Sequence, residues 1–417
     1  MKFQAVRGTR DIFNEEAKIF LYIETTAQEL FLKNGYKELR TPIFEQNELF
    51  TRTLGDTADI VTKEMYVFKD RGDRLLALRP EGTAPVVRAA IEHSILQGGG
   101  AKKIFYAGPM FRYERPQKGR YRQFYQIGAE VFGVDDPLVD ADVTALAVGI
   151  LKKTGVKDFK LHINSVGCEA CRPKFTEQLE IYLRDKKEKL CATCQERLDK
   201  NILRIFDCKI DACKNILNEA PRISNSLCDA CGTKYNEYKQ YLNKFNVAFI
   251  ENDALVRGLD YYTGIVFEVK TDLLGSQDAI VAGGRYDNLV EELGGPKTPA
   301  VGFAIGEERV AELLKNTDDG KGYAKSLIYC LFTDKEKFLL NIDLINDIKE
   351  RDFIVEYDYT FRSLKAQMKY ANSLGAKIVL IIGDKEIQEK MITVKYMESG
   401  EQEEAPLDNI LNSLQRK

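Results

Sequence analysis

The pattern of apolar positions predicts a helix near the start of the chain and strands after it. Between residues 15 and 33, apolar side chains recur every three or four positions: Ile19, Phe20, Ile23, Ala27, Leu30 and Phe31. The run from Tyr36 to Phe44 reads as extended. Pro42 within it predicts a strand at a sheet edge or an intersubunit seam, because proline cannot donate to a strand ladder. Short strands then accompany helices near Thr83 and from Leu138 to Lys153, which predicts an antiparallel sheet with helices packed against it.

The middle of the chain changes character between residues 168 and 247. This stretch is rich in Lys, Glu and Cys, with Leu, Ile and Tyr at helical intervals, and it predicts a mainly helical insertion. Strand-like runs return at Ala254 to Val269, Ala279 to Ala282 and Ala300 to Ile305. The sheet is therefore expected to resume after the insertion, within one core that covers residues 1 to 320.

The last part of the chain has a different alternation. It follows a polar, glycine-containing linker predicted at Asn316 to Lys321. Amphipathic helical segments separate four strand-like runs, SLIYCLFT, FIVEYDY, AKIVLIIG and MITVKYM. Strands separated by helices indicate a small α/β domain over residues 325 to 417, with a largely parallel sheet.

Charge and composition exclude several classes of protein. Lys and Arg number 61 against 64 Asp and Glu, so no global positive field points to DNA, and an RNA would have to meet local basic patches. No apolar leader is present and no run reaches the roughly 18 apolar residues that span a bilayer, so we expect a cytoplasmic protein without membrane attachment. GxxxxGK(S/T) and strand-linked GxGxxG loops are missing, so any ATP must bind by another scheme.

Eight of the nine cysteines fall between Cys168 and Cys231, which in a cytoplasmic chain favours thiols or a metal over disulfides. Two pairings have spacing compatible with a tetrahedral zinc site: Cys168 and Cys171 with Cys191 and Cys194, or Cys191 and Cys194 with Cys228 and Cys231. Cys208 and Cys213 add further choices. Structural zinc and surplus buried thiols are both open readings, and spacing alone leaves the metal ligands unknown.

The segment richest in candidate chemistry covers residues 104 to 133. Two strand-like runs flank the charged loop ERPQKGR, which predicts a hairpin with Arg112 close to the loop, where its guanidinium could grip a phosphate. The loop adds Arg115, Lys118 and Arg120. Strand alternation assigns to one face, suited to a pocket floor, Arg122, Gln126, Gly128 and Glu130. The other face then holds Tyr125, Ile127, Ala129 and Val131. The alternative is a solvated hairpin with an ordinary basic tip.

Two further segments carry an arginine suited to an anion. Arg257 lies among apolar neighbours in LVRGLDYYTGIVFEV, so when buried it needs an internal carboxylate such as Asp260 or a ligand phosphate. The peptide AGGRYDNL follows, and its paired glycines allow close approach to a ligand or simply make a turn. In PAVGFAIGEERV, Arg309 falls in the first turn of a predicted helix, where backbone N–H groups favour an anion. A surface pair with Glu307 or Glu308 is the alternative.

Taken in order, these segments resemble the class II aminoacyl-tRNA synthetases, and among them the histidyl-tRNA synthetase family. Residues 36 to 45 are similar to motif one of the dimer interface, FRYERPQKGRYRQF to motif two, and AVGFAIGEER to motif three. RGLDYYTG and AGGRYD are similar to the two peptides that distinguish the histidine enzyme, and RGTRD and RPEGTAP are also typical. The tail, with SLKAQMKYANSLGAKIVLIIG, resembles this family's anticodon-binding domain. The resemblance spans nearly the whole chain.

The resemblance implies a fold, a reaction and its partners. The fold is an α+β catalytic core with an antiparallel sheet over residues 1 to 320, interrupted by the helical insertion at 168 to 247, and an α/β anticodon-binding domain over 325 to 417. The reaction is ATP-dependent activation of histidine to histidyl-adenylate and its transfer to the 3′ end of tRNA(His), with Mg²⁺ on the outer phosphates. Motif one implies a homodimer. The alternative is a non-catalytic, synthetase-like regulatory subunit of histidine biosynthesis, which typically lacks the anticodon-type tail.

The resemblance also implies roles for individual residues. Arg112 and Arg257 would be catalytic residues on the α-phosphate of ATP, Arg120 and Arg309 would hold the outer phosphates, and Glu114 would belong to the same ATP site. Six residues would bind histidine, at its ammonium and carboxylate ends Glu81, Thr83 and Gln126, and at its imidazole Glu130, Tyr262 and Tyr286. Such a site discriminates by roughly four orders of magnitude or more without editing, so no editing domain is expected.

Overall fold

The computed structural model describes residues 3–54, 60–115, 119–257, 259, 261–275, 278–315, 326–351 and 353–406. Three predicted features lie outside these ranges: the linker at Asn316 to Lys321, Lys118 of the charged loop, and Asp260. The chain divides into two compact units, Met1–Gly320 and Lys321–Lys417. No helix in the described ranges combines the length and the apolarity required to cross a bilayer.

The first unit is built on an antiparallel sheet. Its described strands, β1 to β11, span Lys37–Glu38, Phe44–Gln46, Val67–Lys69, Leu75–Leu78, Lys102–Phe111, Gln123–Phe132, Lys160–Ser165, Ile250–Glu251, Ile265–Lys270, Ala279–Arg285 and Ala300–Gly306. One sheet has the order β1-β5-β6-β11-β10-β9-β7-β8, and its central pairings are antiparallel. The edge pairs, β1 with β5 and β7 with β8, run parallel. The predicted antiparallel core and the β5–β6 hairpin are confirmed, and β2, β4 and β3 form a separate small sheet.

Helices pack around this sheet. In the described part of the first unit, α1 to α10 span Asn14–Lys33, Asn47–Leu54, Thr83–Glu92, Pro137–Lys153, Cys171–Arg184, Ala192–Lys200, Asp211–Asn218, Asp229–Lys244, Leu289–Glu292 and Glu307–Leu314. α1 confirms the first predicted helix and buries Ile23 and Phe31 fully. α5 to α8 make the insertion mainly helical, with a small core of its own around Phe175 and Leu179.

The predicted strand from Tyr36 to Phe44 is wrong as a single element. β1 lies at the edge of the large sheet, as Pro42 indicated, whereas β2 belongs to the small sheet. The chain bends between them around buried Arg79, which donates from Nη1 to the Thr41 carbonyl (3.1 Å) and from Nε to the Pro109 carbonyl (2.9 Å). A buried guanidinium must satisfy its donors, and an unbroken strand would not bring these carbonyls to it.

The predicted strand from Ala254 to Val269 is shorter than expected. Only β9, which starts at Ile265, pairs with neighbouring strands among the described residues of this stretch. Upstream the backbone turns, and the Leu255 N–H donates to the Asn252 carbonyl at 2.9 Å. The irregular backbone lets Arg257 face a cavity instead of a sheet neighbour.

The second unit contains a mixed sheet. Its strands β12 to β16 span Leu327–Phe332, Ile354–Glu356, Ile378–Ile382, Met391–Tyr396 and Gln402–Pro406. Its helices α11 to α14 span Lys335–Leu340, Ile342–Glu350, Leu364–Ser373 and Asp384–Glu389. β12 pairs in parallel with β13 and β14, but β15 and β16 pair antiparallel, so the prediction of a largely parallel sheet is wrong for these two strands. A tight turn at Gly400 (φ +76°) joins β15 to β16, and a short hairpin connection joins antiparallel neighbours.

A buried ion pair joins helix α4 to strand β10. Arg285, at the end of β10, donates from Nε to the Asp140 carboxylate at 3.0 Å. The two side chains are 5% and 2% exposed. Arg285 also donates to Asp287 at 3.0 Å, and this carboxylate in turn accepts from the Ala300 N–H. The pair therefore fixes the AGGRYD peptide against the helix beneath it.

Replacing Asp140 by asparagine should lower the free energy of unfolding by about 3 kcal/mol, because the Arg285 guanidinium then stays buried without its principal counter-charge. The matched control is Asp135→Asn, whose half-exposed carboxylate lies 3.7 Å from the same guanidinium. This control should cost less than about 1 kcal/mol. Urea unfolding of both variants measures the two values, and equal losses would contradict the assignment.

Candidate active site

One open cavity lies on the large sheet of the first unit. Ten predicted site residues line it: Glu81, Thr83, Arg112, Glu114, Arg120, Gln126, Arg257, Tyr262, Tyr286 and Arg309. The eleventh, Glu130, lies behind Thr83 and Tyr286 and contacts both. Segments far apart in the chain therefore meet at one place.

The floor of the cavity comes from strands β6 and β11. Their antiparallel register places Glu130 opposite Gly302 and Gln126 opposite Gly306. A Cβ on Gly302 would collide with the Glu130 carboxylate, so only glycine leaves room for this side chain. The predicted alternation of β6 thus holds for Gln126 and Glu130.

Glu130 is the most deeply buried acid of the site, at 1% exposure. It accepts hydrogen bonds from the Thr83 hydroxyl (2.9 Å) and the Tyr286 hydroxyl (2.5 Å). Burial raises the pKa of this carboxyl to about 8. In the ligand-free chain at neutral pH the carboxyl is therefore mostly protonated, a neutral group able to donate as well as accept.

A second buried acid lies beside the first. Glu81 accepts from the N–H groups of Thr83 (2.6 Å) and Ala84 (2.9 Å) at the start of helix α3. Burial raises the pKa of Glu81, while these two N–H groups lower it. The Oε1 atom of Gln126 has no hydrogen-bond partner among the described residues. Glu81 and Gln126 therefore offer carboxyl and amide oxygens to a cationic ligand group.

Several guanidinium groups also line the cavity. Arg112 donates from Nε to the Pro80 carbonyl at 2.9 Å, and its guanidinium lies 5.2 Å from the centre of the Phe124 ring. Arg309 contacts the Ala279 carbonyl. Burial lowers the pKa of Arg309, and the charges of Arg112 and Arg120 lower it further. Like charges so close together favour an anionic ligand between them.

Arg257 faces the same cavity from the irregular stretch before β9. It donates from Nη1 to Glu268 at 2.7 Å, and Glu268 also pairs with Lys270 at 2.8 Å. The internal carboxylate that the sequence required is therefore Glu268 of β9. Two cations share this one carboxylate, so a further anion can still be accommodated beside Arg257.

Comparisons with known proteins agree with this geometry. A family model described as "Histidyl-tRNA synthetase" matches residues 8–310, and one described as "Anticodon binding domain" matches residues 328–417. The chain belongs to the histidyl-tRNA synthetase family.

Similar proteins cover the whole chain. A curated protein named "Histidine--tRNA ligase" from Moorella thermoacetica is 48% identical over 409 residues, which are 97% of this chain and 96% of that protein. One of the same name from Halothermothrix orenii is 45% identical and covers 100% of both. The crystal structure of apo S. aureus histidyl-tRNA synthetase is 37% identical, with a TM-score of 0.78 over 99% of each chain.

Two parts of the predicted site of this synthetase-family chain lie elsewhere. Arg122 is absent from the cavity lining, and its guanidinium lies 3.8 Å from the Tyr113 ring centre. Arg115, in the charged loop, is exposed. The pocket-floor prediction for Arg122 is therefore wrong, because its guanidinium packs on the Tyr113 ring and not in the cavity.

Sequence reasoning missed several residues of the synthetase site. Tyr106 of β5 lies opposite Gly128 of β6, and its ring fills the space that a Cβ on Gly82 or Gly128 would need. Tyr261 and Glu268 also line the cavity. A large aromatic residue facing a strand glycine is a recognisable pattern, but it needs the strand register, which the sequence does not state.

The cysteines of the insertion group differently from both predicted pairings. The first cysteine group contains Cys168, Cys171, Cys228 and Cys231, and the second contains Cys191, Cys194, Cys208 and Cys213. Both pairings are wrong because the helices of the insertion return its end to its beginning, which spacing along the chain does not reveal. No cysteine is among the described residues that line the cavity.

The buried carboxyl of Glu130 should make the stability of the ligand-free chain depend on pH. Its folded-state pKa, about 8, lies above its ordinary value of 4.5, so its contribution is complete at low pH and is lost as pH rises through 8. Glu130→Gln should remove up to about 1.4 kcal/mol per pH unit from the slope of unfolding free energy between pH 5 and 8.

Urea unfolding at four pH values across this window measures the slope. The matched control is Glu291→Gln, at an exposed position of α9, and its profile should parallel that of the wild type. A Glu130→Gln profile parallel to the wild type would contradict the raised pKa.

Proposed function

We propose that this chain is a histidine–tRNA ligase, which activates histidine with ATP and transfers it to the 3′ end of tRNA(His). The observation that carries the proposal is one cavity whose lining brings Arg112, Arg257 and Arg309 together with the buried acids Glu81 and Glu130 and their hydroxyl partners. The arginines suit a triphosphate, and the acids suit an amino acid with a basic side chain.

The first step places the histidine carboxylate against the α-phosphorus of ATP. One carboxylate oxygen attacks in line, pyrophosphate leaves, and histidyl-adenylate forms. Because two anions must approach, fixed positive charge and positioning are what the protein supplies. We assign Arg112 and Arg257 to the α-phosphate, where each guanidinium can donate two parallel hydrogen bonds.

The outer phosphates fall to the other cations. We assign them to Arg120 and Arg309, with Glu114 holding the Arg120 guanidinium through a direct ion pair. Mg²⁺ bound to the phosphates themselves would supply further charge as pyrophosphate departs. Zinc takes no part in these steps, because the cysteines belong to the insertion and not to the cavity lining.

Histidine recognition is assigned to the buried acids and the polar side chains beside them. Glu81, Thr83 and the unpaired Oε1 of Gln126 are suited to the ammonium group and its surroundings. Glu130, Tyr262 and Tyr286 are assigned to the imidazole. A ring with two nitrogens offers further hydrogen-bond partners to these polar groups, whereas an apolar side chain of similar size offers none.

The second step requires a proton acceptor for the attacking ribose hydroxyl of tRNA. No histidine is among the described residues that line the cavity. We therefore assign the proton to an oxygen of the adenylate phosphate, which is next to the reacting carbonyl and becomes the leaving group. The C-terminal unit, which matches the anticodon-binding model, would contact the other end of the tRNA.

Assembly and location complete the proposal. Exposed Ile43 and Phe44 lie next to the edge strand β1, in the segment that resembles motif one, and this surface suits a homodimer. None of the nine cysteines forms a disulfide, as expected in a reducing cytoplasm. A regulatory-subunit function is not favoured, because the full-length relatives are ligases by name and the anticodon-binding match is present.

Arg257→Ala should reduce histidine-dependent ATP–pyrophosphate exchange by roughly 100-fold or more, as expected for a donor to developing phosphate charge. The matched control is Arg184→Ala, at the exposed end of helix α5, which should keep the wild-type rate. Because Arg257 also pairs with Glu268, the melting temperature of each variant is measured alongside the rate. Equal exchange rates in a folded Arg257→Ala variant and the wild type would remove the assigned mechanism.

Tyr286→Phe should raise the KM for histidine by about 5-fold or more and leave the KM for ATP within about twofold, because one buried Glu130 oxygen loses its donor. Tyr182→Phe is the control, since its hydroxyl donates at 2.8 Å to a carbonyl in the distant insertion core. Exchange assays with each substrate varied in turn give both constants. An equal rise in both KM values would count against the imidazole assignment.

A further inference from the structure

The cysteine-rich insertion contains eight thiols that the catalytic reaction does not use. They form the two groups of four defined above, and within each group the sulfur atoms lie within 4.8 Å of one another. Each group joins two short cysteine pairs from different parts of the insertion. Chance burial of surplus thiols would not sort eight of them into two sets of four.

The distances between sulfur atoms distinguish the possible chemistries. The Sγ–Sγ separations are 3.6 Å for Cys168 and Cys171, 4.0 Å for Cys168 and Cys228, and 3.8 Å for Cys191 and Cys208. A disulfide requires about 2.05 Å. Four thiolates around one zinc ion, at about 2.3 Å each, lie roughly 3.8 Å apart at the corners of a tetrahedron. An iron–sulfur cluster places its cysteine sulfurs farther apart, because each binds a different iron.

The backbone around both groups favours thiolates. Cys171 begins helix α5 and Cys228 immediately precedes α8. Cys191 immediately precedes α6, and Cys213 lies in the first turn of α7. The positive ends of these helices stabilise negative charge on sulfur.

Backbone N–H groups also point at the sulfur atoms. The Cys228 N–H donates to the Cys171 Sγ at 3.1 Å, and the Cys191 N–H donates to the Cys213 Sγ at 3.2 Å. Each bond links the two cysteine pairs of one group. A metal-bound thiolate accepts such bonds more strongly than a neutral thiol does.

We infer that the insertion binds two zinc ions, one by the four thiolates of each cysteine group. Both sets supply four sulfur ligands and no open position, which is the composition of a structural site. The second group borders the small core of the insertion, where Cys194 and Cys213 are fully buried. Each zinc would therefore cross-link the helices that contribute its cysteines.

The first zinc site lies at the start of the insertion, close to Tyr262 of the cavity wall. Cys168 and Cys171 follow directly after strand β7, and the next residue, Arg172, donates to the Val166 and Tyr262 carbonyls. A cross-link here would fix the backbone of Tyr262 through Arg172. The zinc is thus a positioning element for the cavity wall and does not touch substrate.

The second zinc site lies beside a short helical turn, Ile202–Asp207, that ends next to Cys208. Arg204 of this turn lines a second open cavity together with Arg172 and Arg257. The second site would therefore hold the turn close to Arg257.

Metal content of the purified full chain tests the inference without measuring catalysis. After zinc-replete expression and gel filtration without chelator, elemental analysis should give about two zinc ions per chain. Cys168→Ser and Cys213→Ser should each give about one, and the double variant less than about a tenth. The matched control is Cys330→Ala, at a buried cysteine of the second unit outside both groups, which should retain about two.

Cobalt substitution provides the second readout. The Co²⁺-loaded chain should show the visible bands of tetrahedral thiolate coordination, reduced by about half in each single variant and absent in the double variant. Wild-type zinc below about a tenth of an equivalent, or iron in its place, would overturn the inference. One equivalent that only one of the two single variants removes would overturn the two-site form. A wild-type chain that carries two zinc ions but shows no histidine-dependent ATP–pyrophosphate exchange would instead count against the proposed function.

Discussion

The architecture of the site depends on holding several guanidinium groups close together before any phosphate arrives. Burial and the charge of Arg112 lower the pKa of Arg120, and burial and the charges of Arg112 and Arg120 lower the pKa of Arg309. In water these like charges would repel one another. Carbonyl oxygens of Pro80 and Ala279 anchor two of them, and a carboxylate anchors the third. The folding free energy of the sheet thus offsets the repulsion between these guanidinium groups. A bound triphosphate gains from it, because the charges need no rearrangement.

The same cavity also contains buried acids. Glu81 and Glu130 are buried near each other, and burial raises the pKa of both. Glu81 accepts from a backbone N–H at the start of helix α3, and Glu130 accepts from the hydroxyls of Thr83 and Tyr286. The cavity thus combines cationic and acidic groups in one lining. A zwitterionic amino acid with a basic ring can find a partner there for each of its polar groups.

Hydrogen bonds to backbone groups connect the insertion to the core at its first junction. Arg172 donates to carbonyls on both sides of the junction, and the Gly264 N–H and carbonyl bond to Gly167 and Val166. Gly167 has φ +65°, and a Cβ there would collide with Cys171. The close approach of strand and helix at this point needs glycine. This junction lies beside Tyr262, so a change in the insertion can reach the cavity.

Local pattern alone determined much of this protein. Helical spacing predicted α1, strand alternation predicted that Gln126 and Glu130 share a face, and the position of Arg309 at a helix start followed from the chain order. The family motifs named the arginines of the site. These features depend on neighbours within one element, where backbone geometry relates spacing to direction.

Only the tertiary structure decided which distant groups meet. Glu268 as the partner of Arg257, Tyr106 as the ring between two glycines, and the division of eight cysteines into two groups all required strand register and helix packing. Arg122 is absent from the expected pocket floor, and its guanidinium packs on the Tyr113 ring. Contacts between residues far apart in the chain are selected by the burial of the whole core, and no local spacing carries that information.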